Sequence, residues 1–174
     1  MIIGLSGYAR SGKDTIAEHL VKIYDFKRIA FADPIREFLY EMNPLINKVP
    51  LQQMVDEYGW DVAKSNDEVR ALLQNTGVGA RKLFGSDFWV QQALKNLDAT
   101  GDYVITDVRF KNEAQALSEM GAFLWRVTRP GVNAINSHIS EHDLDDWEFD
   151  VSILNDSTIG ALHSAVNRSF IYSV

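Results

Sequence analysis

Five short apolar runs are spaced along the chain and predict the strands of a sheet. They cover residues 2–5, 28–31, 103–106, 123–128 and 151–154. Most of them are nearly continuous in apolar residues, which is typical of strands buried on both faces. Between them lie helical patterns over residues 15–24, 34–42, 51–97, 112–119 and 158–174. Because strands and helices alternate, the pattern predicts an α/β fold with a parallel sheet and right-handed crossovers.

Two connections are too long to be simple crossovers. Residues 33–101 are mostly helical and far exceed the single helix that joins two parallel strands. Residues 129–150 are polar, contain Pro130 and Gly131, and are only weakly periodic. We therefore expect a helical insertion in the first connection and a mobile flap in the second.

Composition bounds the class of protein. The chain has 174 residues, of which 46% are hydrophobic, enough for one sizeable core. It has no cysteine, which excludes disulfides and thiolate metal sites and suits a reducing cytoplasm. No apolar run approaches the ~20 residues that span a bilayer, and Ile2 and Ile3 lack the basic flank of a targeting segment. We expect a cytoplasmic protein.

The net charge argues against a nucleic-acid polymer as partner. The chain carries 17 Lys and Arg against 24 Asp and Glu, a formal charge of -7. Such a surface repels phosphate backbones, so phosphorylated ligands must be met by a local cluster of donors. Small anionic ligands bound in a pocket fit this charge better than DNA does.

The first predicted strand leads into a phosphate-binding loop, GYARSGKD. This pattern of a glycine, four residues, a second glycine and a lysine becomes specific when it follows a strand and precedes a helix. Its backbone amides, the helix N-terminus and the lysine ammonium can together bind the terminal phosphates of a nucleotide. The predicted ATP-binding residues are Gly7, Arg10, Ser11, Gly12, Lys13, Asp14 and Thr15.

Asp14 stands where such loops usually carry serine or threonine. A carboxylate is a hard oxygen ligand and could hold Mg²⁺ directly or through water. Its structural alternative is an acidic residue in the first helical turn, which stabilises the helix dipole by ~0.3–1 kcal/mol. Thr15 is the alternative hydroxyl ligand, one position later. We expect Mg²⁺ to be held by Asp14 or Thr15.

Several blocks of sequence resemble the deoxynucleoside monophosphate kinases encoded by tailed bacteriophages. In order, they are SGKDTIAEHL, FADPIRE, LLQNTGVGARKLFGSDFWV, ITDVRFKNEAQAL, RVTRPG, SHISEHDLDD and VSILNDST. They extend along nearly the whole chain and are more specific than the loop alone. The SGKD block also resembles animal-type phosphomevalonate kinases, so another small phosphorylated acceptor is the alternative substrate, and a non-catalytic nucleotide-binding module is a further one.

The resemblance implies a three-layer P-loop kinase fold with a parallel five-stranded sheet, in a single domain over residues 1–174. The core would comprise residues 1–33, 101–129 and 150–174, with a helical acceptor-binding insertion at 34–100 and a lid at 129–149. The implied reaction is transfer of the γ-phosphoryl group from Mg-ATP to a deoxynucleoside monophosphate. If the chain is phage-encoded, it acts in the host cytoplasm. Base and sugar preference and oligomeric state, a homodimer included, stay open.

Phosphoryl transfer requires a protein mainly to position two anions and neutralise moving charge. Arg129 opens the flap and is our candidate for the transferring phosphoryl group, with Arg126 as its rival. Asp107 ends a buried strand and, with Arg109, could bind Mg²⁺ or the acceptor, unless the two simply form a salt bridge. Arg10 could contact ATP or point to solvent. We predict Lys13, Arg129 and Asp107 as the catalytic residues.

The acceptor is expected to meet residues of the insertion and the flap. Asp33 could contact the substrate or cap a helix, and Trp89 could stack on a base or belong to the core. A glycine-containing break is expected at Gly77 and Gly79. The acidic residues of 141–150 are most simply a solvated face, and residues 155–157 are expected to cap the last helix. The predicted acceptor-binding residues are Asp33, Arg36, Arg70, Gln74, Arg81, Trp89, Asp107, Arg109, His138 and Glu141.

Overall fold

A computed structural model describes residues 1–133 and 142–173 of the chain. The strands are β1 (Ile2–Ser6), β2 (Lys27–Ile29), β3 (Leu45–Ile46), β4 (Val49–Pro50), β5 (Tyr103–Ile105), β6 (Phe123–Thr128) and β7 (Val151–Leu154). The helices are α1 (Lys13–Tyr24), α2 (Asp33–Met42), α3 (Leu51–Ala63), α4 (Asp67–Phe84), α5 (Phe88–Leu94), α6 (Lys111–Glu119) and α7 (Ile159–Ser173). The chain divides into two compact units, residues 1–30 with 96–174 and residues 31–95.

The first unit contains a parallel five-stranded sheet in the order β2-β5-β1-β6-β7. Strand β1 is central, and its Ile3 lies opposite Val104 of β5 and Phe123 of β6. The five strands are those that the apolar runs predict, and their ends differ from the predicted ones by at most two residues. The predicted parallel sheet is therefore confirmed.

Helices cover both faces of this sheet because side chains along β1 alternate between them. Ile3 and Leu5 are fully buried in a core that includes residues of α1 and α7. Gly4 points the other way, where a Cβ atom would lie 2.6 Å from Leu124 and 3.0 Å from Leu117 of α6. The first unit is thus a three-layer arrangement of helix, sheet and helix.

Helix α1 begins at Lys13, two residues before the apolar pattern predicts. The start is set by Gly12, whose carbonyl accepts the bond from the amide of Ile16 at 3.1 Å. The helix ends at Tyr24, and its C-cap residue Asp25 is in the left-handed conformation. The conformation of the phosphate loop therefore fixes the first turn of α1.

The second unit has its own core of Leu39, Ile46, Leu51 and Val69. The long helical stretch of the sequence forms three helices, because Asn66 caps α4 by accepting bonds from two backbone amides and Gly85, at φ 101°, ends it. The break expected at Gly77 and Gly79 is wrong, since α4 runs through both.

Gly77 faces α2 instead. A Cβ atom on it would lie 3.4 Å from Ile35 of α2, an ordinary van der Waals contact. Among the described helices of both units, none is long and apolar enough to cross a membrane.

Candidate phosphate-binding site

The loop between β1 and α1 has the backbone shape that its glycines predict. Gly7 and Gly12 have φ angles of 141° and 111°, and Arg10 is left-handed at 67°. A Cβ atom on Gly7 would lie 2.2 Å from the carbonyl oxygen of Val127, which no side chain tolerates. The amide of Ser11 closes the turn by donating to the Tyr8 carbonyl at 3.2 Å. The loop is therefore compact and excludes side chains at its two glycines.

Lys13 folds back over this loop. Its Nζ donates to the carbonyl oxygens of Gly7 at 2.7 Å and Tyr8 at 2.9 Å, and the residue is only 9% exposed. The ammonium is thus held at the first turn of α1, where the helix dipole already favours anions. The arrangement suits the terminal phosphates of a nucleotide.

Asn155 fastens the loop to the far edge of the sheet. Its amide Nδ2 donates to the Ser11 carbonyl at 2.8 Å, and its backbone amide donates to Thr128 at 2.8 Å. A Cβ atom on Gly12 would lie 2.5 Å from Asn155 Nδ2. The expected cap over residues 155–157 is wrong, because Thr158 Oγ1 accepts from the α7 amide of Ala161 instead.

The remaining loop residues differ in exposure. Asp14 and Arg10 are exposed, and Thr15 is half-buried in the first turn of α1. Ser11 Oγ is buried and has no hydrogen-bond partner among the described residues. Asp14 and Thr15 together offer a carboxylate and a hydroxyl beside Lys13, the hard oxygen donors that Mg²⁺ takes, and the residues present fit such an ion.

A small, shallow cleft lies beside the loop. Gly7 and Tyr8 line it together with Arg109, Arg126 and Leu144. Two basic side chains from the carboxyl end of the sheet therefore share one concavity with the phosphate loop, at the edge where open α/β sheets bind ligands.

Arg126 projects from β6 and is held on several sides. Its Nη1 donates to Ser6 Oγ at 3.3 Å and its Nη2 to Asp145 Oδ1 at 3.0 Å. The guanidinium carbon lies 5.3 Å from the ring centre of Tyr8 and 5.5 Å from that of Phe149. These contacts fix the plane of the guanidinium at the rim of the cleft.

Asp145 gathers three donors around one carboxylate. Besides Arg126, it accepts from the Tyr8 hydroxyl at 3.4 Å and is bonded to His142 Nδ1 at 3.0 Å. Burial by itself would raise the pKa of Asp145, but the hydrogen bonds from His142 and Arg126 outweigh it and lower that pKa. The carboxylate is therefore charged at neutral pH.

The acidic segment is not merely a solvated face. Asp143 accepts from the Lys111 amide at 2.8 Å, Asp146 from Lys111 Nζ at 2.7 Å, and Asp150 from the Leu124 amide at 2.7 Å. The expectation from composition is wrong for these residues because a tertiary partner faces each of them. Their bonds fasten residues 143–150 to α6 and β6.

Asp107 and Arg109 lie in the turn after β5. Glu113, which is 3% exposed, shapes this turn, since its Oε2 accepts from the amides of Arg109 at 2.8 Å and Phe110 at 3.0 Å. Asp107 is half-buried and Arg109 exposed. Arg129, just beyond β6, is also exposed. Arg126 thus lines the cleft, although the sequence favours Arg129.

A family model named "Deoxynucleotide monophosphate kinase" matches residues 53–166. The chain belongs to the deoxynucleotide monophosphate kinase family. A relative in this kinase family from Enterobacteria phage T4 is 24% identical over 97% of this chain and 98% of its own length. One from Escherichia phage RB69 is 33% identical over 58% of this chain, but this match covers only 43% of that enzyme. A protein of Acanthamoeba polyphaga mimivirus, provisionally named a deoxynucleotide monophosphate kinase, is 31% identical over 95% of this chain and 94% of its own.

Solved structures of other kinases are more distant. Shikimate kinase from Aquifex aeolicus aligns over 98% of this chain and 96% of its own with a TM-score of 0.49 and 9% identity. Dephospho-CoA kinase from Campylobacter jejuni aligns over 99% and 96% with a TM-score of 0.49 and 15% identity. These likenesses are too weak to bear on substrate.

The acceptor candidates of this kinase-family chain lie mostly in the second unit. Arg36 pairs with Asp33 at 3.0 Å, and Asp33 is the first residue of α2, not its cap. Arg70 pairs with Asp67 at 3.3 Å. Gln74 is exposed and Arg81 half-buried on the same helix, α4. Their roles toward an acceptor stay predictions.

Trp89 is a core residue in this structure. It is 5% exposed, and its indole Nε1 donates to the Gly77 carbonyl at 3.1 Å. A ring so enclosed offers no open face to a base, so we leave it out of the acceptor site. His138 and Glu141 lie outside the described residues.

Sequence reasoning did not single out Tyr8, Asp145 or Glu113, and it gave Asn155 a different role. Tyr8 could have been singled out, since it lies inside the phosphate-loop motif GYARSGKD. The other three have no such signal, because their partners come from elsewhere in the fold.

Proposed function

We propose that this protein transfers the γ-phosphoryl group of ATP to a deoxynucleoside monophosphate, giving the diphosphate and ADP. The observation that carries the proposal is the Lys13 ammonium, held over a loop that excludes side chains at Gly7 and Gly12. Membership of the deoxynucleotide monophosphate kinase family supports the choice of acceptor. On this proposal both partners of the protein are small molecules.

The loop binds the donor. Its amides and the N-terminus of α1 present positive potential to the β- and γ-phosphates. Lys13 exchanges its bonds to the Gly7 and Tyr8 carbonyls for phosphate oxygens as ATP enters. Because the ammonium is already nearby, this exchange needs only side-chain rotation.

In the reaction, an oxygen of the acceptor phosphate forms a bond to the γ-phosphorus as the bond from that phosphorus to the β,γ-bridging oxygen breaks. A phosphate monoester has a second pKa of about 6, so the attacking oxygen is already deprotonated at neutral pH and needs no general base. Asp107 therefore positions the acceptor or a metal-bound water, while Arg109 and Arg129 neutralise charge.

Magnesium is the expected metal. Asp14 and Thr15 would hold it beside the donor phosphates, directly or through water. When bound, such an ion neutralises charge that develops on the β- and γ-phosphate oxygens. Without it, the Asp14 carboxylate would repel the triphosphate.

For the acceptor, the proposal keeps the charged and amide side chains predicted from sequence. Asp33, Arg36, Arg70, Gln74 and Arg81 come from the helical unit, with His138 and Glu141 from the segment after β6. A guanidinium can bind a monophosphate with two parallel bonds, and an amide can bind a base edge. Each is a candidate for substitution rather than an assigned contact.

An ADP-release assay tests the proposed function. Purified protein with ATP and Mg²⁺ is given each of the four deoxynucleoside monophosphates, their ribose counterparts and phosphomevalonate. We expect release of ADP that depends on a deoxynucleotide. Turnover with phosphomevalonate alone would refute the acceptor class, and no turnover with any acceptor would refute the kinase.

Lys13→Ala has a matched control in Lys22→Ala, which removes the same charge from an exposed position in the last turn of α1. We expect the first to lower kcat by about 10²–10³ and the second to leave it unchanged. Asp14→Asn should raise the Mg²⁺ concentration for half-maximal rate by about tenfold or more. Identical Mg²⁺ titrations would remove Asp14 from the metal site.

A further inference from the structure

Arg126 and Asp145 form an ion pair at the mouth of the cleft, and its two members are held very differently. The Arg126 side chain is 16% exposed, packed near two aromatic rings and bonded to Ser6. The Asp145 side chain is 43% exposed and lies at the surface. The cation is therefore fixed in place, and the anion is the replaceable partner.

Three donors cluster around the Asp145 carboxylate. The Arg126 guanidinium, the Tyr8 hydroxyl and His142 Nδ1 all lie 3.0–3.4 Å from its oxygens. Tyr8 belongs to the phosphate loop, and Arg109 lines the same cleft. One carboxylate thus occupies a cluster of donors that borders the loop.

We propose that Asp145 stands in for a phosphate group of a substrate, and that Arg126 with the Tyr8 hydroxyl binds that phosphate once the carboxylate is displaced. This inference rests on the proposed function, because it takes its ligand from it. Arg126 then acts as a substrate-binding residue, and Asp145 competes with the substrate from within the chain.

A phosphate fits this site better than a second carboxylate does. It carries up to two negative charges and three terminal oxygens, so it can bond to Arg126, Tyr8 and Arg109 together. Asp145 has two oxygens and one charge. A phosphate entering the cleft therefore gains more from these donors than Asp145 loses by turning to solvent.

The competition can be measured with Asp145→Asn, which removes the charge and keeps the shape. The probes are inorganic phosphate, a deoxynucleoside monophosphate and ADP, each titrated by calorimetry without turnover. Exposed ion pairs are weak, so we expect at least one probe to bind about two- to fivefold more tightly to the variant. The nucleotide arms tell an acceptor phosphate from a donor phosphate.

Asp146→Asn is the matched control. It makes the same charge change at the next residue, whose partner is Lys111 and not Arg126. We expect no gain in phosphate affinity from it. An equal gain in the two variants would mean a general charge effect and would overturn the proposal, as would unchanged or weaker binding of all probes to Asp145→Asn.

Arg126→Gln completes a double-mutant cycle. Arg126→Gln alone should weaken binding of the same probe by about tenfold or more. In the double variant, adding Asp145→Asn to Arg126→Gln should give no gain in affinity for that probe. A gain that persists without Arg126 would contradict the proposed competition.

An NMR titration of the unaltered protein tests the same inference without depending on whether a variant folds. If phosphate displaces Asp145, the His142 ring loses its partner, so its NMR resonances should shift as the probe is added. Unmoved resonances at saturating probe would overturn the inference. A protein that shows this shift but transfers no phosphoryl group would contradict the proposed function and leave the anion site standing.

Discussion

Replacing Asn155 with alanine removes the side-chain bond that ties the phosphate loop to the end of β7. The lost contact is one neutral bond of 2.8 Å from Nδ2 to the Ser11 carbonyl, which is worth about 0.5–1.5 kcal/mol net. In a chain of this length, each kcal/mol lowers the melting temperature by about 2–4 °C. We expect a fall of about 1–6 °C.

The free energy lost with the Asn155 bond should also weaken the binding of ATP. A loop no longer held by Asn155 must be ordered by the nucleotide, so the KM for ATP should rise about 2- to 12-fold. The KM for the acceptor should change little. Asn155→Asp should do more harm, since it places a carboxylate oxygen against the Ser11 carbonyl and near the phosphates.

Asn167→Ala is the matched control for this experiment. Asn167 also uses its side chain within the fold, where Oδ1 accepts from the Tyr24 hydroxyl at 3.0 Å and lies 2.7 Å from His19 Nε2. It should lower the melting temperature without changing the KM for ATP. If Asn155→Ala behaves in the same way, the reasoning about the loop is refuted.

Three further predictions concern single sites. Gly7→Ala should abolish ATP binding, because its Cβ would lie 2.2 Å from the Val127 carbonyl; near-normal affinity in a calorimetric titration would contradict this. The pKa of Asp145 is lowered from 3.8, so its charged form stabilises the fold above that value and the benefit is lost as pH falls through the folded-state pKa. The melting-temperature advantage over Asp145→Asn should thus vanish in acid well below pH 3.8, and a constant difference would argue against the contact. Trp89→Phe breaks the bond to Gly77, worth about 0.5–1.5 kcal/mol, and leaves part of the buried ring volume unfilled, so it should lower stability by more than that bond alone with an unchanged acceptor KM; a raised KM at unchanged stability would restore the stacking role.

Much of the architecture could be predicted because it depends on local pattern. Continuous apolar runs predicted the five sheet strands, and the length of the connection over residues 33–101 predicted that several helices lie between two of them. The errors were also local. Gly77 was expected to break a helix, but it lies in a packed helix interface, and its neighbours could not be known before the fold was.

The sequence by itself determined the phosphate loop, because glycine conformations, the lysine and the following helix are all encoded within nine residues. Only the tertiary structure decided which distant side chains serve that loop. Asn155 meets Ser11 across 144 positions and Arg126 meets Ser6 across 120. These meetings follow from the order β5-β1-β6-β7, which brings the ends of parallel strands together at one edge of the sheet. That strand order is set by burial of the whole core and not by any one segment. No local sequence pattern therefore predicts the contacts of Asn155 and Arg126 with the loop.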